Sequence, residues 1–168
     1  FPAQTHLLQA AREINDNRPL QVVEYIFKAV RAHRTEKSAP CTVLLMGQTY
    51  KPDVDDMRES PAVRIAAMVQ EHKDIRMLVC EPYLNQSKMK KLYGGAATTI
   101  QDGLEQADII VFLVAHTRFK AIDQKLLVGK KVLIVDDDTR NIFALTSVLE
   151  DHHMTIFSAD NGRNAIEI

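Results

Sequence analysis

Residues 41–62 read CTVLLMGQTYKPDVDDMRESPA. An apolar run from Cys41 to Met46 ends at Gly47, a mostly polar stretch follows, and Ser60-Pro61 opens the next segment. Unbroken apolar character marks a strand covered on both faces, which is the condition inside a parallel sheet. Ser60 suits a helix N-cap and Pro61 the first helical position, so a helix is expected over Ala62–His72. Strand, polar loop and helix in that order make the first half of a βαβ unit.

The same alternation continues outward. Ile75–Cys80 reads as a second strand, and Gln86–Leu92 as a short basic helix stopped by Gly94-Gly95. Thr98–Ile100 reads as a short strand and Asp102–Gln106 as a helical turn. Asp108–Ala115 (DIIVFLVA), Lys131–Val135 (KVLIV) and Met154–Ala159 supply three more strands. A helix is expected over Thr139–Glu150, and another starts at Asn161 and runs to Ile168. Upstream, Leu7, Leu8, Ala11 and Ile14, then Val22, Val23, Ile26, Phe27 and Val30, form an apolar stripe at helical spacing. Pro19 leaves two readings open, one kinked helix or two helices meeting at Asp16-Asn17.

These elements predict an α/β fold: a doubly wound, Rossmann-like parallel sheet of order 3-2-1-4-5-6. Residues 40–168 form the sheet domain, and residues 1–36 form a helical linker region ahead of it. Ligands of such sheets bind beyond the carboxyl ends of the strands, where the order reverses. That places the site at the loops after Met46 and Val114.

Composition narrows the function. The 168 residues carry 21 basic and 22 acidic side chains, too even a balance for a nucleic-acid binder. No apolar run approaches the ~20 residues of a membrane span, and no signal peptide opens the sequence. Cys41 and Cys80 both fall inside apolar strands, which suits buried thiols in a reducing, cytoplasmic protein. The start at Phe1-Pro2 without methionine suggests a piece of a longer protein. The charge is also uneven. Residues 1–130 carry 18 basic and 15 acidic groups, whereas residues 131–168 carry 3 and 7.

The loop from Gln48 to Ser60 holds the densest polar cluster. Lys51 and Arg58 can grip phosphate, the helix start at Ser60 offers free N–H groups, and Asp55 or Asp56 can orient Arg58. The bland alternative is a solvated loop with local ion pairs. His116, in the loop after the fourth strand, is a possible ligand contact or a plain loop histidine. Lys88, Lys90 and Lys91 read as a solvated helix face, and His152-His153 as a surface turn.

The run GQTYKPDVDDMRESPA (Gly47–Ala62) resembles the signature of the nucleotide-sugar 6-dehydrogenases, and within them UDP-N-acetylmannosamine and UDP-glucose dehydrogenases. AREIND (11–16) is similar to that family's long central helix, VCEP (79–82) to its strand-ending acidic-Pro step, and ADIIVFLVAHTRFKAI (107–122) to its next strand and loop. The resemblance covers about residues 3–128 and implies the C-terminal, UDP-binding domain of an NAD-dependent enzyme. It implies that Tyr50 and Lys51 line the nucleotide-sugar site, that Arg58 reaches substrate or cofactor phosphates, and that Asp56 supports Arg58. It further implies a homodimer through residues 5–34, whose stripe a monomer would expose. No G-x-G-x-x-G occurs in the sequence, and the family's nucleophilic cysteine lies in a motif not found here. The expectation is a binding domain for UDP or a UDP-sugar that is not a dehydrogenase by itself.

Residues 130–168 (KKVLIVDDDTRNIFALTSVLEDHHMTIFSADNGRNAIEI) resemble the opening β-α-β-α of a response-regulator receiver. That resemblance implies Mg²⁺ carboxylates at Asp136 and Asp137, although the receiver's phosphorylated aspartate has no counterpart in these residues. The expectation is a chimera in which the receiver-like piece completes the dehydrogenase sheet. The alternatives are two separately packed or swapped modules, a phosphorelay module, or a structural protein that binds nothing.

Overall fold

The computed structural model describes residues 2–34, 40–135, 155–159 and 165–167. The strands are β1 (Cys41–Met46), β2 (Ile75–Cys80), β3 (Ile109–Phe112), β4 (Lys131–Ile134), β5 (Thr155–Ala159) and β6 (Ala165–Glu167). They make one sheet of order β2-β1-β3-β4-β5-β6. The first five run parallel, with Val43 beside both Met77 and Ile109, and Val132 beside both Ile110 and Ile156. An isolated parallel bridge between Val79 and Ala97 lies on the outer side of β2. The strands expected in the order 2-1-4-5-6 stand in that order. The third place holds only the isolated bridge at Ala97, and β6 adds an antiparallel edge that was not expected.

Alternation along the strands divides the core. Val43, Leu45, Val79, Val111 and Leu133 face helices α1 (Pro2–Arg34) and α2 (Pro61–Gln70), burying against Val22, Ile26, Val30, Ile65 and Val69. Leu44, Met46, Leu78, Ile110, Phe112 and Val132 face the other way, against Leu104 of α4 (Ile100–Gln106), Phe119 and Leu127. Apolar residues on both faces are what made the strands read as unbroken runs. Ser60 caps α2 as expected, its hydroxyl accepting from the Ala62 N–H at 3.2 Å. Asn85 caps α3 (Gln86–Tyr93), in which only Met89 is buried, so Lys88, Lys90 and Lys91 form the solvated face expected of them.

Of the two readings left open at Pro19, the single helix is the observed one, and several other expectations need correction. A proline there cannot donate to the Asn15 carbonyl and strains the turn before it. Arg64 of α2 donates to the neighbouring Asp16 carbonyl at 3.3 Å, which gives that turn an outside partner. The stripe is not left bare either, because Val22, Val23, Ile26, Ala29 and Val30 bury against the chain's own sheet. Thr98–Ile100 is not a strand: pairing stops after the bridge, and Thr99 turns to cap α4. The strand expected over Asp108–Ala115 ends at Phe112, where the chain bends over Gly47. Residues 165–167, expected in a helix, form β6 antiparallel to β5. The outer edge of β5 would otherwise present unpaired donors and acceptors. The helix expected over 139–150 and the His152-His153 pair lie outside the described residues.

Candidate functional site

Three loops leave the carboxyl ends of β1, β2 and β3 side by side, and Gly47 sets how close they come. Its φ is +89°, and a Cβ on it would lie 2.7 Å from the Val114 Cβ. Only glycine allows both the turn and that approach.

Buried polar side chains tie the loops together. Gln48, Thr49, Ser60, Glu81 and His116 are each no more than 2% exposed. Glu81, the residue after β2, is the hub. Its Oε2 accepts the Gln48 N–H at 2.6 Å and lies 3.0 Å from His116 Nε2, while Oε1 accepts the Tyr83 N–H at 2.9 Å. The Asp53 N–H donates to His116 Nδ1 at 2.9 Å, which assigns the ring hydrogen facing Glu81 to Nε2. Gln48 accepts from the Tyr93 hydroxyl at 2.9 Å and donates to the Gly47 carbonyl at 2.9 Å. Ser60 donates to the Thr49 carbonyl at 3.1 Å, fixing the far end of the loop. The Asp53 carboxylate accepts from the Thr117 N–H at 2.8 Å and its hydroxyl at 2.5 Å.

The electrostatics follow from these contacts. Burial opposes charge on Glu81, but hydrogen bonds from His116, Gln48 and Tyr83 outweigh it and hold the carboxyl below the usual range. Hydrogen bonds, first from the Thr117 hydroxyl, lower Asp53 to about 2. Burial raises the Tyr93 hydroxyl to about 12 and the Cys80 thiol to about 12. Cys41 and Cys80 are both buried and form no disulfide, and the raised Cys80 thiol lacks the character of a nucleophile.

The residues singled out from the sequence stand at the rim of this network. Asp56 and Arg58 pair: Nε donates at 2.9 Å and Nη2 at 2.7 Å to the two carboxylate oxygens. The hydrogen bonds from Arg58 hold the Asp56 carboxyl well below its usual range. The Arg58 side chain stays 89% exposed, and its Nη1 takes no part in the pair. Tyr50 is exposed, with the Lys51 ammonium 5.5 Å from its ring centre. Asp136 and Asp137 lie outside the described residues. Sequence reasoning passed over Gln48 and Glu81. Glu81 had a signal, an acidic residue closing an apolar strand beside strand 1.

Two hollows flank Tyr50. A cleft of about 650 Å³ lies between α1, the start of α2 and the ends of β1 and β3, with Pro19, Val22, Ser60, Arg64 and Val114 in its walls. A more open one of about 450 Å³ is formed by Tyr50, Asp56, Arg58 and Glu59. Together they offer an aromatic face, a cation and a helix N-terminus, groups that suit a phosphorylated ligand with a flat ring. They do not suit the pyrophosphate cradle of a dinucleotide. Gly47, the glycine at the β1 turn, has its open side filled by Val114, and Gly94 and Gly95 follow a helix instead of a strand.

Residues 44–144 match the UDP binding domain of the UDP-glucose/GDP-mannose dehydrogenase family. A UDP-N-acetyl-D-mannosamine dehydrogenase of Yersinia pestis is 39% identical over 127 residues, 72% of this chain and 30% of that protein. The enzyme of that name from Escherichia coli K12 is 35% identical over 73% of this chain and 30% of its own length. The solved structure of the UDP-N-acetyl-mannosamine dehydrogenase Cap5O from Staphylococcus aureus superposes with a TM-score of 0.63 at 25% identity, over 79% of this chain and 30% of that one. The chain thus spans about 30% of the length of these relatives. With the signature loop, the strand order and the family match in agreement, this chain belongs to the UDP-glucose/GDP-mannose dehydrogenase family through its UDP-binding domain.

Proposed function

We propose that the chain binds the UDP part of a nucleotide sugar in the hollows around Tyr50. The observation that carries this reading is the cation–aromatic rim, Tyr50, Lys51 and Arg58, set beside the start of α2 on a loop anchored by buried hydrogen bonds. Tyr50 gives the uracil a stacking face, Lys51 and Arg58 meet the diphosphate, and Asp56 holds Arg58 in register. The chain contributes this recognition to an NAD-dependent sugar-nucleotide oxidation whose NAD site and nucleophile lie outside its described residues. By itself it oxidises nothing. Calorimetric titration with UDP tests the reading: heat at millimolar ligand or below is expected. Arg58→Ala should weaken binding about tenfold, the ~1.4 kcal/mol of one charged hydrogen bond. Absence of heat at millimolar UDP overturns it.

Two further parts belong to this reading. The first half of α1, where Leu8 stands 71% exposed, completes a homodimer, which light scattering checks as a doubled mass. Residues 130–168 are a receiver-derived piece forming the far side of the same sheet, supported by the KVLIVDDD run and by the parallel pairing of β4 with β5. The family match runs on to residue 144, so β4 fits both ancestries. This piece should take no phosphate from acetyl phosphate with Mg²⁺, and a stable phosphoaspartate would contradict it.

A further inference from the structure

At the opposite end of the sheet, three side chains from three elements converge. His33 stands in the last turn of α1, Cys41 opens β1, and Asp108 precedes β3. One ligand atom from each lies within 4.8 Å of the other two. His33 Nε2 is 3.4 Å from Asp108 Oδ1, yet it is buried and makes no hydrogen bond among the described residues. An imidazole nitrogen buried beside a carboxylate but not hydrogen-bonded to it is poorly satisfied, and a bound ion shared by the two groups accounts for that arrangement.

Asp108 is already braced. Its Oδ2 accepts the Thr42 N–H at 2.9 Å and its own N–H donates to the Thr42 carbonyl at 2.9 Å, so the carboxylate is fixed with Oδ1 towards His33. Bracing of one carboxylate oxygen while the other faces a second donor is how outer hydrogen bonds orient a metal ligand. A tetrahedral zinc with bonds of roughly 2.0–2.3 Å holds its donors about 3.3–3.6 Å apart. The His33–Asp108 separation of 3.4 Å is already such an edge, and the Cys41 thiol, within 4.8 Å of the other two donors, has up to about 1.5 Å to close.

We propose that His33 Nε2, Cys41 Sγ and Asp108 Oδ1 bind one Zn²⁺, with water as the fourth ligand. The mixed nitrogen, sulfur and oxygen set favours zinc over magnesium or calcium. Binding displaces the thiol proton to solvent and ties the end of α1 to β1 and β3. The role is structural, because the site lies at the amino ends of the strands, away from the nucleotide loops.

The test uses the full chain stripped with a chelator and titrated with Co²⁺, then Zn²⁺. One equivalent of Co²⁺ should bring tetrahedral d–d bands and a near-ultraviolet sulfur-to-cobalt band, and Zn²⁺ should displace it and raise the melting temperature. Cys41→Ser should abolish the sulfur band. His33→Gln and Asp108→Asn should each weaken Zn²⁺ binding by about tenfold or more. Substituting His152 and His153 together should leave binding unchanged. Circular dichroism verifies that each variant folds. Should the variants unfold, the unaltered chain still decides: no sulfur-to-cobalt band and no zinc-dependent rise in melting temperature overturns the site. Loss of binding on substituting His152 and His153 does so equally.

Discussion

Two acid–base pairs sit within the same crescent of loops, and they are built differently. Glu81 and His116 are sealed, with both side chains fully out of solvent and every polar atom hydrogen-bonded. The contact from the Tyr83 N–H stays within the Glu81 loop itself, and the others cross between loops or between the pair. Asp56 and Arg58 lie at the open rim, two residues apart in sequence, with the guanidinium in solvent. The first pair joins residues 35 positions apart and holds the loops together. The second shapes one turn and leaves a cation facing outward. A ligand loop needs both, a fixed base and a charge that is still available.

The largest effect should come from breaking the sealed pair. Glu81→Ala strands the His116 ring and the Gln48 and Tyr83 N–H groups in the interior, and should cost about 3–5 kcal/mol. Urea denaturation measures it, and a loss no larger than that of a surface substitution would show the pair to be dispensable.

Acid should act next. Asp53, with its carboxyl lowered to about 2, and Glu81, also lowered, bind protons less readily folded than unfolded. Their contributions are complete above the ordinary carboxylate range and disappear as pH falls through the folded values. For Asp53 that window lies between about pH 4 and pH 2, so Asp53→Asn should flatten the acid limb of a stability–pH curve there. Parallel curves for both proteins would refute the assignment.

The smallest effect on stability belongs to the rim. Asp56→Ala should leave the melting temperature unchanged, since an exposed pair gains little against solvent. The same change should weaken UDP binding several-fold, because Arg58 loses the group that orients it. A fall in melting temperature with unaltered UDP binding would reverse the roles given to the two pairs.

Much of this could be read from the chain alone. CTVLLM, the MLVC end of IRMLVC and the VLI of KVLI are almost wholly apolar because helices or turns cover both faces, so they declared themselves as parallel strands. Ser60-Pro61 announced its helix for an equally local reason. The misses were decided by distant partners. Residues 165–167 read as a helix but pair antiparallel with β5, a partner that nothing in their own sequence announces. At the site, the Asp56–Arg58 pair was legible at a spacing of two residues. Glu81 was not, because its importance comes from Gln48 and His116, which only the fold brings to it.

Pro19 has a mechanical consequence. At 1.5 Å per residue, the 33 residues of α1 span about 50 Å. Its buried contacts among the described side chains begin at Pro19 itself. The helix is therefore a lever clamped over its second half, with a proline, where helices bend most readily, at the edge of the clamp. The same proline is a wall of the larger cleft, so a bend at that point would change the aperture of the cleft.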